Sequence, residues 1–225
     1  MSRAFPPGPV DPAAGRAGRV GVSAFVLLAA LTLWVTRAHG HLLPADAGLH
    51  AWSVAHRPAP AVAAARAVTD TGTGVIPYAA LLLVGLYVGR TARQRCGLAS
   101  ALMVCLGAGQ ALRYAAMSVV ARPRPPVGDW AAHASGWSFP SGHTTTAAMT
   151  AGLAIAALSL GGRRVSRLAI CVIGLWGAAV GLSRVYLGVH WFTDVLAGWL
   201  LAAGWVCLVV RTYLRRAPAA GRGEA

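Results

Sequence analysis

Apolar stretches of about 20 residues recur along the chain, each long enough to cross the ~30 Å hydrocarbon core of a bilayer as an α-helix. Six such stretches stand out, at roughly 20–36, 74–89, 97–120, 143–160, 166–183 and 191–210. The pattern predicts an all-α protein, a bundle of six transmembrane helices over 20–211, flanked by polar tails at 1–19 and 212–225. The fourth stretch is modest in hydropathy because it is rich in alanine, threonine and glycine. Small residues let helices approach closely, which places that span inside the bundle.

The polar interruptions orient the spans. Arg3, Arg16 and Arg19 precede the first. Arg90, Arg93 and Arg95 separate the second from the third, and Arg163, Arg164 and Arg167 separate the fourth from the fifth. Arg211, Arg215, Arg216 and Arg222 follow the sixth. With six crossings all four groups share one side, and the excess of basic residues marks that side as cytoplasmic. Both termini are then expected inside the plasma (cytoplasmic) membrane, with three loops outside. Basic residues before the first span and small ones near Ala38 and Gly40 also suit a cleaved signal, which leaves five spans. The first outer segment, 38–72, holds His39, His41, His50 and His56. Their irregular spacing reads as a solvated or interfacial stretch, not as a metal site.

Composition agrees with a membrane bundle. Of 225 residues 56% are hydrophobic and 12% charged, and the formal net charge is +14 with no lysine at all. A chain this basic also suits a nucleic-acid binder. Here the arginines lie between apolar runs and line no soluble face, so no nucleic-acid partner is expected. Cys96, Cys105, Cys171 and Cys207 fall in or beside apolar runs, without the clustered spacing of a zinc or disulfide framework.

The other two outer loops concentrate chemistry. One reads Ala121-Arg122-Pro123-Arg124-Pro125-Pro126 and then Ser138-Phe139-Pro140-Ser141-Gly142-His143. The other holds Ser183-Arg184, then His190 and Asp194. Arg124 and Arg184 offer forked donors suited to phosphate oxygens. Ser141 adds a hydroxyl, and the Gly142 N–H opens a helix, where the macrodipole favours an anion. Two histidines, His190 and His143, supply a nucleophile and a general acid near neutral pH. Asp194 follows His190 by one helical turn and can fix its tautomer. Alone, each part has a bland reading: a loop-to-helix start, a helix-end ion pair, interfacial anchors. Together, in order and on one membrane side, they equip the chain for phosphoryl transfer.

These blocks resemble the signature of the type 2 phosphatidic acid phosphatase superfamily, which also includes bacterial acid phosphatases and vanadium haloperoxidases. The signature is a lysine, six residues and Arg-Pro; then Pro-Ser-Gly-His; then Ser-Arg, five residues, His, three residues and Asp. Arg124-Pro125 matches the end of the first block. Pro140 to His143 match the second in full, as do Ser183, Arg184, His190 and Asp194 the third. The resemblance implies that His190 attacks phosphorus and forms a phosphohistidine. It implies that Asp194 orients His190, that His143 protonates the leaving oxygen, and that Arg124, Arg184, Ser141 and Gly142 hold the phosphoryl group. It implies no metal and no cofactor.

One position departs from that pattern. Met117 stands where the family has its lysine. Arg113, four residues earlier on the same helical face, and Arg122 are the two candidates for the missing cation; an ionisable residue within a span is a functional candidate by default. The expected activity is hydrolysis of a lipid phosphate or pyrophosphate in the bilayer. Phosphatidate, phosphatidylglycerol phosphate and polyprenyl pyrophosphate are all candidate substrates. A phosphotransferase, or a weakened lipid-phosphate binding or transport protein, is the alternative.

Overall fold

The termini of the helices follow local chemistry. Asp11 accepts a hydrogen bond from the Ala13 amide at 2.8 Å, and Pro12 opens helix α1, Pro12–Arg37. Pro44 opens α2, Pro44–Ala55, and Pro58 and Pro60 frame the start of α3, Ala59–Asp70. A fixed φ and a missing N–H suit proline to a first helical turn. Gly74, with a φ of 67°, separates α3 from α4, Val75–Val88. Thr91 and Gln94 form a reciprocal capping box at the start of α5, Ala92–Val120. Then follow α6, Gly142–Leu160, α7, Arg167–Tyr186, which Ser166 caps, and α8, Phe192–Arg216. The structure, a computed structural model, describes residues 11–38, 42–162 and 164–216, and no β-strand occurs among them. His39, His41 and Arg163 lie outside the described residues, as do the outer parts of both expected tails.

α6 is the central helix. It packs against α4, α5, α7 and α8, while α1 lies along α8 and α3 along α7. Leu81, Leu106, Met149, Leu153 and Leu201 form the core between these helices. Close approach is built into the sequence: a Cβ on Gly109 would meet the Met149 side chain, and one on Gly204 the Phe25 ring at 2.9 Å.

The helices differ from the expected spans at several places. Four described helices, α1, α5, α7 and α8, are long and apolar enough to cross a membrane. The expected second span, 74–89, is only the 14-residue α4, about 21 Å at 1.5 Å per residue. It adds to α3 across a 54° bend, and the bent pair makes a fifth candidate span. The segment 38–72, expected to be a solvated or interfacial stretch, carries two 12-residue helices that its pattern did not predict, α2 and α3, packed on α7 and α8. α6, the expected fourth span, is not among the four long apolar helices. Thr144, Thr145, Ala147 and Met149 are all buried within the bundle. The helix that carries the first expected span begins at Pro12, and the helix that carries the last runs on to Arg216.

Candidate active site

The loop between α5 and α6 and the turn between α7 and α8 meet at one end of the bundle. Ala121 ends α5 in the left-handed region, and the chain then folds back on itself, with Ser138 N–H donating to Arg122 O at 2.9 Å. Ala131 N–H donates to Leu187 O at 2.9 Å, and Ser141 N–H to Asp194 O at 3.0 Å, which stitches the loop to the turn. α2 and α3 clamp it from outside. His50 Nε2 lies 3.0 Å from Asp129 Oδ2, Arg57 donates to Asp129 O at 2.6 Å, and Arg66 to Ala131 O at 2.6 Å.

His190 stands in that turn, just before α8 begins, and not on the helix as the spacing suggested. The turn still brings its Nδ1 to 3.4 Å from Asp194 Oδ2. Asp194 is fully buried and richly partnered: Oδ2 also accepts from Trp191 N–H at 2.9 Å and from the Ser138 hydroxyl, and Oδ1 from Arg122 at 2.5 Å. Such partners hold a carboxylate ionised in a buried place. On the opposite ring edge, Arg124 Nη1 lies 2.8 Å from His190 Nε2. An arginine only donates, so Nε2 is the accepting nitrogen and carries the lone pair. Burial lowers the His190 pKa to about 4; Asp194 opposes this, and the charges of Arg124 and Arg184 add to it. Burial likewise lowers the pKa of Arg124.

A cavity of about 710 Å³ opens beside His190. Arg113, Arg124, Arg184, Gly142, His143 and His190 all line it, and no carboxylate does. Arg184, 2% exposed, donates to Thr69 at 3.1 Å, while its buried Nε has no partner. Arg124 is fully engaged. Besides His190, it donates to the carbonyls of Ser135, Gly136, Trp137 and Val189. Arg113 is held through Nε by Gln110 Oε1 at 3.2 Å, and Gln110 is itself bonded to Thr146. Ser141 lies behind the wall, fully buried, with its hydroxyl accepting from Thr144 at 2.9 Å. Arg122 does not line the cavity; its Nη atoms are taken by Thr193, Asp194 and Asp46.

Residues 96–218, more than half of the chain, match the family model of the PAP2 superfamily. The chain belongs to the PAP2 superfamily. The matched stretch includes all three blocks, the cavity arginines and both histidines. Phosphatidylglycerophosphatase B of Haemophilus influenzae is 43% identical over 70 residues, 30% of this chain and 29% of that protein. The Escherichia coli K12 protein of the same name is 38% identical over 80 residues, 36% of this chain and 30% of its own length. The chain thus spans under a third of these relatives. An undecaprenyl-diphosphatase of Sulfolobus acidocaldarius is 32% identical over 140 residues, covering 58% of this chain and 59% of that one. The crystal structure of a transmembrane PAP2-type phosphatidylglycerolphosphate phosphatase from Bacillus subtilis shares the fold. The TM-score is 0.73 at 24% identity, over 86% of this chain and 95% of that one. With its apolar helices, this PAP2 chain is a multi-pass membrane protein.

Several residues of the site escaped the sequence reading. Asp46 and Thr193 complete the Arg122 network, Gln110 holds Arg113, and Thr69 holds Arg184. Asp46 had one available signal, its place two residues after Pro44, where an acidic first turn follows an N-terminal proline.

Proposed function

We propose that this chain is an integral-membrane phosphatase that hydrolyses a lipid phosphate or lipid pyrophosphate through a phosphohistidine, without a metal. The observation that carries the reading is the cavity in which His190, His143 and three arginines converge with no carboxylate in the wall. Such a wall attracts a phosphoryl group and resists a divalent cation. His190 Nε2 forms a bond to the terminal phosphorus, the bond from that phosphorus to the leaving oxygen (of the lipid alcohol, or of the lipid monophosphate where the substrate is a pyrophosphate) breaks, and His143 gives that oxygen its proton. Water then attacks the phosphohistidine, returns a proton to His143 and releases inorganic phosphate with neutral His190. Arg113, Arg124 and Arg184 stabilise charge on the equatorial oxygens, together with the Gly142 N–H at the start of α6. Attack requires Arg124 to exchange its bond to Nε2 for one to the substrate.

The names of the relatives support a lipid phosphate as substrate, with phosphatidate, phosphatidylglycerol phosphate and polyprenyl pyrophosphate as the candidates. In this reading α3 with α4 counts as one span and α6 as another. The chain then crosses six times, with both termini in the cytoplasm and the catalytic end outside the plasma membrane. The test is phosphate release by purified protein in detergent against those three lipids, with EDTA present. Release from at least one is expected. No release from any, or release only after a divalent ion is restored, sinks the reading.

A further inference from the structure

We propose that Asp46 is a positioning residue for His190, acting through Arg122 and Asp194. This rests on the reading of His190 as the nucleophile. Asp46 sits in the first turn of α2, fully buried, and does not line the cavity. Its Oδ1 accepts from Thr193 N–H at 2.8 Å. Its Oδ2 accepts from the Thr193 hydroxyl at 2.7 Å and from Arg122 Nη2 at 2.8 Å. Arg122 Nη1 in turn meets Asp194 Oδ1 at 2.5 Å, while Oδ2, which accepts from Trp191 N–H and the Ser138 hydroxyl, faces His190 Nδ1 at 3.4 Å.

Two consequences follow. The Thr193 amide belongs to the first turn of α8, where N–H groups lack partners within the helix. Asp46 therefore caps α8 from another helix, where the macrodipole favours a carboxylate. It fixes the start of α8 one residue before Asp194. The second consequence is electrostatic. Arg122 is shared between two buried carboxylates, so the cluster of Asp46, Arg122 and Asp194 keeps one net negative charge beside the imidazole. With Asp46 neutral, Arg122 alone would offset Asp194, and the grip of that carboxylate on Nδ1–H would weaken. A buried charge of this sort is expensive to desolvate, and it persists only where it is fully partnered.

The pH profile separates this role from a simple tie between helices. The charged and titratable groups facing His190 are Asp194, Arg124, Arg184 and His143. Removing a negative charge from behind them lowers the pH at which His190 protonates. Asp46→Asn should lower kcat about tenfold with KM within about twofold. The acid limb of kcat/KM should move down by roughly half a pH unit or more. Thr193→Val loosens the tie without changing charge and should leave the limb in place. If Asp46→Asn does not accumulate as folded protein, Asp46→Ser carries the same test, since it keeps a small acceptor for α8. A folded Asp46 variant with wild-type kcat, or one whose kcat falls while the limb stays put, overturns the proposal. A wild-type protein inactive on every lipid would sink the phosphatase reading itself, a distinct outcome.

Discussion

Arg113 reaches Gly142: its Nη1 lies 3.2 Å from the point that a Cβ on that glycine would occupy. The guanidinium thus stands beside the first residue of α6, where free amides and the helix dipole already favour an anion. It also lies over the ring of Tyr114, 3.5 Å from its centroid, and its Nη1 touches Met117 Sδ at 3.3 Å. A longer side chain from one turn deeper thereby brings its charge to the level of Met117, where the family pattern has lysine.

That relationship carries the first prediction. Arg113→Ala should lower kcat/KM at least about tenfold, roughly 1.4 kcal/mol, and Met117→Lys in that background should restore part of the loss. Gln110→Leu, which frees Nε, should raise KM in the same direction but by less. Full activity of Arg113→Ala in a phosphate-release assay would remove Arg113 from the site.

Gly142→Ala tests the same contact from the other side. A Cβ there meets Nη1 at 3.2 Å and Cζ at 3.4 Å, so the guanidinium must give way by a few tenths of an ångström. Alanine otherwise suits a helix start no worse than many residues, so thermal stability should hardly change. A rise in KM of several-fold at an unchanged melting temperature is the expected result. An unchanged KM would mean that Arg113 moves aside freely.

How much of this was legible in the sequence depended on spacing. Long apolar runs announced α1, α5, α7 and α8, and the fixed intervals in Pro140-Ser141-Gly142-His143 and Ser183 to Asp194 announced the cavity wall. The break between α3 and α4 lay in Thr71-Gly72-Thr73-Gly74, whose two glycines mark a turn, but the apolar run after it hid the shorter helix before it. Asp46 could be read as part of a helix start, but its place in the site could not, for a different reason. Its partners, Arg122 and Thr193, lie 76 and 147 residues away, and no local period connects them. Arg122 looked like a loop cation open to phosphate because nothing near it in sequence foretold two buried carboxylates.

His190→Ala should abolish turnover, with phosphate release at least about a thousandfold down, since no second nucleophile stands at Nε2. The variant should still insert and fold, because the ring's one close carboxylate contact, at 3.4 Å, is loose. A folded variant that releases phosphate at the wild-type rate would refute the nucleophile assignment.

The pH dependence follows from burial of the same ring. With a folded pKa of about 4 and an unfolded value near 6.5, the unfolded chain binds more protons in the interval between. The contribution of His190 to stability is therefore fully present above about 6.5 and is lost as pH falls through about 4. The acid limb of kcat/KM, corrected for substrate ionisation, should likewise fall near 4. Arg124→Gln removes a cation that depresses this value, so the residual activity should show a limb shifted upward. A limb near 6.5 in the wild type would mean that water reaches the ring.

Membrane orientation gives the last prediction. Cys96 is exposed near the start of α5, among Arg90, Arg93 and Arg95. Gly128 is exposed in the α5–α6 loop beyond the other end of that 29-residue helix, which is about 43 Å long at 1.5 Å per residue, with open space around the position of a Cβ. The two sites therefore face opposite sides of a bilayer if α5 spans it. Arginines gather at the Cys96 end, and the cytoplasmic preference of such residues places that end inside. A membrane-impermeant maleimide applied to intact cells should label Gly128→Cys and leave Cys96 untouched until the membrane is opened. The reverse pattern would turn the cavity toward the cytoplasm, and under the proposed function the lipid would then come from the inner leaflet.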